Sequence, residues 1–173
     1  MANQALIIVD MLNDFLNPQG ALYCGDAART IIPIIEQRLN SYREKNDTVI
    51  YLCDAHDKND REFEKFPSHC VAGTWGAELL PEIKPLPEEH VILKQRFSGF
   101  YGTDLDAVLK RAKIEQAEVV GVCTSICVMD TVSGLANRDY AIIVPTRGVA
   151  DFDPAMHATA LQRMERVYGA KLV

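Results

Sequence analysis

The chain has little that would suit a nucleic acid or an anionic lipid surface. Its 18 lysines and arginines are outnumbered by 24 aspartates and glutamates, for a net charge of -6, so neither polyanions nor membranes are expected partners. No apolar run approaches the roughly 20 residues of a membrane-spanning helix, and the start, Met1-Ala2-Asn3-Gln4, lacks the basic n-region of a secretory signal. The five cysteines (24, 53, 70, 123 and 127) are odd in number and lack a disulfide-scaffold spacing. Free thiols in a reducing cytoplasm are therefore expected. Cys123 and Cys127 form C-x3-C, not the redox C-x2-C, which makes a redox or zinc role for that pair the lesser reading. Repeats, low-complexity tracts and linkers are absent. A length of 173 residues suits one domain, residues 1–173, with a sizeable core.

What the chain does have is apolar runs alternating with amphipathic stretches. Residues 5–9, 48–53, 91–93, 118–123, 140–144 and 171–173 read as strands, rich in β-branched residues and nearly continuous in apolar character. Residues 27–44 carry Ile31, Ile32, Ile34, Ile35 and Leu39 at helical spacing, with Pro33 in or near the first turns. Further helices are expected from a Thr103 or Asp104 cap to residue 112, over 127–138, and from Asp153-Pro154 to residue 168. This alternation predicts a three-layer α/β/α, Rossmann-like doubly wound sheet, mostly parallel, of about six strands. Two connections, 13–26 and 54–89, are longer than compact domains usually carry, which marks them as functional. Both follow strand carboxyl ends, the edge at which open parallel sheets bind ligands.

Three reactive side chains fall at that edge. Asp10 ends the first strand, Lys94 ends the third, and Cys127 follows the fourth after the short elbow Cys123-Thr124-Ser125-Ile126. Each has an ordinary reading alone: a turn aspartate, a solvated lysine, a buried inert thiol. Their shared position points instead to a cysteine-nucleophile hydrolase. Cys127 is expected to open a helix, where unpaired N–H groups and the macrodipole would lower its pKa toward the nucleophilic thiolate.

A second group suits a metal. Asp54-Ala55-His56 directly follows the second strand and His69 lies later in the same connection. One carboxylate and two imidazoles can hold a divalent cation, with Glu62, Glu64 or water completing the shell. The competing reading is that the histidines only hold the loop together by hydrogen bonds. A cation here would act as a Lewis acid on a substrate ring nitrogen or a water.

Four segments, in order, carry a resemblance. They are Ile7-Ile8-Val9-Asp10-Met11-Leu12-Asn13-Asp14-Phe15; Asp54-x-His56 with Phe66-Pro67-x-His69-Cys70 and Gly73-Thr74; Lys94-x-Arg96-Phe97-Ser98-Gly99-Phe100; and Gly121-Val122-Cys123-Thr124-Ser125-Ile126-Cys127-Val128. Over nearly its whole length the chain resembles the isochorismatase-like cysteine hydrolases, nearest to the nicotinamidase/pyrazinamidase branch. The resemblance implies a catalytic triad of Asp10, Lys94 and Cys127. It also implies an oxyanion hole from the backbone N–H groups of Cys123 and Cys127, with a cis peptide before Cys123. Asp54, His56 and His69 map to metal ligands and Glu62 to the remaining one, for Zn2+, or else Fe2+ or Mn2+. Phe15 and Phe66 map to aromatic residues that sandwich the substrate ring. The residue after Thr124, commonly Asp in nicotinamidases, is Ser125 here.

The expected reaction is hydrolysis of a small planar amide through a thioester, with nicotinamide giving nicotinate and ammonia. Rival readings are a carbamoyl-amide or ureido amidohydrolase, an isochorismatase-type enzyme, a non-catalytic binding module and a thiol-redox protein. Family members usually form homo-oligomers, so a dimer or larger assembly is expected, with residues 97–101 either lining the site or lying at a subunit contact.

Overall fold

A computed structural model describes residues 3–173. Its strands are β1 (Gln4–Val9), β2 (Thr48–Asp54), β3 (His90–Lys94), β4 (Gln116–Val122), β5 (Ala141–Val144), β6 (Val149–Ala150) and β7 (Lys171–Leu172). They form one sheet in the order β3-β2-β1-β4-β5-β7, with β6 beside β4. Every strand pair is parallel. The expected α/β/α architecture is borne out, with seven strands instead of about six. The added strand, β6, is two residues long, too short for a periodic signal.

The helices are α1 (Asn13–Leu16), α2 (Asp26–Arg29), α3 (Ile32–Glu44), α4 (Leu105–Arg111), α5 (Met129–Ala136) and α6 (Pro154–Arg166). They cover both faces, as fully apolar strands require. In β1, Leu6 and Ile8 pack toward Ile35 and Leu39 of α3, while Ala5, Ile7 and Val9 pack toward Leu109 and Val132. Glu118, 1 % exposed within β4, is paired by Arg38 of α3. A buried charge is tolerated only with such a partner.

Three expectations about elements need correction. The helix expected over 27–44 is two pieces, α2 and α3, broken around Thr30 and Ile31. Pro33 has no N–H and fits only the first turn, so α3 begins at Ile32. The connections are not bare: the first holds α1, and the second holds 3-10 turns at Arg61–Glu64, Trp75–Ala77 and Pro81–Ile83. Finally, Cys127 does not open a helix. It sits inside a π turn, Thr124–Val128, that precedes α5. Wide turns of this kind recur at functional sites because they re-aim the side chain they carry.

Candidate active site

Strand register builds the site. In the β2–β3 ladder Asp54 stands opposite Lys94, the last pair of both strands. In the β1–β4 ladder the last pair is Val9 and Gly121. At Gly121 φ is +116°, and a Cβ would lie 2.0 Å from the Val9 carbonyl oxygen, so only glycine allows the two strands to meet so closely. Asp10, one residue beyond, adopts a left-handed φ of 49°. Non-glycine residues seldom enter that region. The Val122–Cys123 peptide is cis.

These ends bring the reactive groups together. Lys94 Nζ lies 2.8 Å from Asp10 Oδ2 and 2.5 Å from Asp54 Oδ1, and it donates to Cys127 Sγ at 3.4 Å. Asp10 Oδ1 accepts the Asp54 N–H at 2.9 Å. Lys94 and Asp10 are both fully enclosed, while Cys127, 6 % exposed, borders the cavity. One ammonium thus lies between two carboxylates, easing their mutual repulsion, and faces the thiol. Burial, and then the Asp54 charge, push the Asp10 carboxyl up to about 6, against the pull of Lys94. A base with that pKa is poised near neutral pH. Burial also works against the Lys94 charge, but Asp10, Cys127 and Asp54 hold it firmly protonated.

For the nucleophile the electrostatics overturn the expectation of a thiol pKa lowered by a helix terminus. Burial drives the Cys127 thiol well above its ordinary value; Lys94 opposes this, but Asp10 and Asp54 add to it. The resting group is a thiol beside the Asp10 carboxylate, with donor atoms of the two within 4.8 Å.

The metal-type residues cluster beside this centre. Asp54, His56 and His69 offer donor atoms all within 4.8 Å of one another. Glu62 Oε1 completes the group, 4.0 Å from His56 Nε2 and 3.9 Å from His69 Nε2. Glu62 is buried while Glu64 is exposed, which separates the two alternatives. His56 Nε2 and Glu62 Oε2 are buried without a hydrogen-bond partner. Buried polar atoms are rarely left so, and the donor set is one that a divalent cation satisfies. The other ring nitrogens are fixed: His56 Nδ1 is 3.1 Å from Asp60 Oδ2 and His69 Nδ1 is 2.8 Å from the Pro67 carbonyl. Such outer contacts orient imidazole ligands. Burial lowers the His69 pKa, favouring the neutral, ligating form.

Both groups open into a cavity of about 410 Å3. Phe15 and Phe66 line it, with ring centroids 5.6 and 6.3 Å from that of His69. Phe97 also lines it, whereas Tyr101 is 69 % exposed, so the 97–101 stretch divides between wall and surface. Among the described residues the walls carry no lysine or arginine; their charged residues are Asp54 and Glu62.

A family model for the isochorismatase domain matches residues 4–172. The chain belongs to the isochorismatase family. It is 34 % identical to the nicotinamidase/pyrazinamidase PncA of Bacillus subtilis across 99 % of each chain, with a TM-score of 0.94. It is 32 % identical to N-carbamoylsarcosine amidase of Thermoplasma acidophilum, covering 98 % of this chain and 95 % of that one, with a TM-score of 0.90. The pyrazinamidase of Pyrococcus horikoshii, whose structure is a complex with zinc, is 29 % identical over 99 % of this chain and 98 % of that one, with a TM-score of 0.92. This isochorismatase-family chain is an amidohydrolase, acting on C–N amide bonds.

Some working residues of this isochorismatase-family site escaped the sequence reading. Asp60, held by the Arg96 guanidinium at 3.0 Å, orients His56. Burial works against its charge, but bonds from the Glu62 N–H, His56 and Arg96 bring its carboxyl to about 2. Asp14 ties the two long connections together: Oδ1 accepts the Ala21 N–H at 2.9 Å and Oδ2 the Cys70 N–H at 2.6 Å. Asp14 falls within the segment Ile7 to Phe15, but nothing in its spacing indicates these partners. Among the described residues no helix is long and apolar enough to cross a membrane.

Proposed function

We propose that this amidohydrolase cleaves a small, neutral, planar aromatic amide, with nicotinamide giving nicotinate and ammonia. The observation that carries this reading is the cavity itself, with aromatic walls and acidic charge but no cationic side chain. Carbamoylsarcosine and ureido acids offer no aromatic ring to stack between Phe15 and Phe66. A neutral heteroaromatic amide stacks on Phe15 and Phe66.

Asp10, Lys94 and Cys127 carry the chemistry. Asp10 takes the Cys127 proton, and Lys94 holds the resulting charge in place. The sulfur adds to the amide carbonyl, and the Cys123 and Cys127 N–H groups stabilise the oxyanion, a contribution of about 3–4 kcal/mol per donor in comparable sites. Asp10 returns the proton to the leaving nitrogen, releasing ammonia and a thioester. Asp10 then removes a proton from water, whose oxygen cleaves the thioester and restores the thiol. Asp54, His56, His69 and Glu62 would hold a divalent cation, with Zn2+ preferred for this donor set. That cation supplies Lewis acidity toward a ring nitrogen or a water. The unpaired thiols suit a reducing cytoplasm. A homo-oligomer is supported by Val91 and Leu93, which are 46 % and 63 % exposed on the edge strand β3.

The test is ammonia release from nicotinamide, pyrazinamide, N-carbamoylsarcosine and ureidoacrylate, with and without chelator, in wild type and Cys127→Ala. Turnover of the neutral aromatic amides alone, lost in the variant, is expected. Preference for a carboxylate-bearing amide would overturn the substrate, and activity in Cys127→Ala would overturn the nucleophile.

A further inference from the structure

Thr124 and Ser125 lie between the two amides assigned above to the oxyanion hole, and a single downstream segment grips both. β6 runs beside the end of β4, with Gly121 opposite Val149 and Val122 opposite Ala150. The next residue, Asp151, reaches the elbow: Oδ2 accepts the Ser125 N–H at 2.7 Å and Oδ1 accepts the Asp153 N–H at 3.2 Å. Within the first turns of α6, His157 Nδ1 lies 2.9 Å from Thr124 Oγ1, the hydroxyl of a fully buried residue. Neither Asp151 nor His157 borders the amide cavity. Both line a separate cavity of about 320 Å3 whose walls include Ala28 of α2 and Ile34 of α3.

We propose that Asp151 and His157 are positioning residues of the hydrolysis, setting the aim of the Cys123 and Cys127 amides without touching substrate. The chain has two soft torsions per residue, so pinning Thr124 and Ser125 restrains the short segment that joins the 122–123 and 126–127 peptides, which carry the two N–H groups. Ser125 offers only its N–H to this link, and the carboxylate comes from Asp151. Oxyanion donors act over about 2.7–3.1 Å, and a misplacement of about 1 Å costs on the order of 100-fold in rate. The inference rests on the oxyanion assignment made under the proposed function.

The experiment compares Asp151→Ala and His157→Ala with Asp151→Asn and His157→Asn, using whichever amide the wild type turns over best. Steady-state kinetics are measured with thermal midpoints and with the rate of Cys127 alkylation by iodoacetamide, followed by peptide mass. The alanine variants should lose about 10–100-fold in kcat with KM within about twofold. Asparagine keeps an oxygen for the Ser125 N–H, or a polar atom for Thr124, and should recover kcat to within about threefold. Alkylation, which forms no oxyanion, should stay within about twofold of wild type in every variant. The proposal is overturned by unchanged kcat in both alanine variants, by KM rising as far as kcat falls, or by alkylation falling in step with kcat. Turnover of another amide but not of nicotinamide would sink the substrate reading and leave this one standing.

Discussion

Replacing Lys94 with methionine isolates the cation on which the site depends. Methionine keeps an unbranched apolar stem of similar length, so packing changes little. What is lost is the ammonium 2.8 Å from Asp10 and 2.5 Å from Asp54, at a residue only 1 % exposed. Removing one partner of a buried ion pair costs about 3–5 kcal/mol, because the other charge stays behind. In a chain of this length that corresponds to a fall in Tm of about 6–20 °C. Lys94 also pulls the Asp10 pKa down, so without it the carboxyl rises above about 6 and Asp10 spends more of its time protonated at neutral pH. At pH 7 a rise of one unit roughly halves the active base, and once the pKa is above the working pH each further unit removes about tenfold. Urea unfolding followed by circular dichroism in chelator, where no metal can replace the ammonium, gives the stability term. Ammonia release from pH 6 to 9 gives the second. A stability loss under about 1 kcal/mol, or turnover within about threefold of wild type at pH 7, would refute the reasoning.

In wild type, kcat/KM should rise with pH through about 6 as Asp10 becomes a carboxylate; a flat profile from pH 5 to 8 would remove Asp10 as the base. The same shift acts on stability with the opposite sense. The folded state holds this proton more tightly than the unfolded chain, whose carboxyl titrates near 3.8, so the Asp10 contribution to stability falls as pH rises from about 4 to about 6. Calorimetry across that window, set against Asp10→Asn, reads it. Titration with Zn2+ should give one equivalent bound and a higher thermal midpoint, and His69→Ala should weaken binding at least about tenfold; equal affinity in the variant would dissolve the proposed metal group. Phe66→Ala should raise KM about tenfold with kcat nearly unchanged, the loss of an aromatic contact of about 1–1.5 kcal/mol, and an unaltered KM would place the ring outside the substrate contacts.

The parts of this fold visible in the sequence were those that periodicity and strand ends encode. Asp10, Lys94 and Asp54 are legible because each terminates an apolar run, and parallel sheets gather such ends on one edge. The direct pairing of Asp54 with Lys94 was not, since register depends on ladder contacts between distant segments. For the same reason the contact of Lys94 with Asp54, beside those with Asp10 and Cys127, has no signature in the sequence. The π turn that carries Cys127 has no distinctive spacing, and the thiol's raised pKa arises from burial, which no local pattern records. Asp60, Asp151 and His157 reach His56, Ser125 and Thr124, residues 4, 26 and 33 positions away, through contacts that no spacing encodes.

The Asp14 carboxylate has a mechanical consequence. It fastens both long connections, and Gly76 lies so near that a Cβ there would come within 2.1 Å of Oδ2. Two rims clamped to a common pin cannot swing apart independently. Both connections wall the amide cavity, Ala21 and Leu22 from the first and Phe66 and His69 from the second, so the same pin holds those walls at a set spacing.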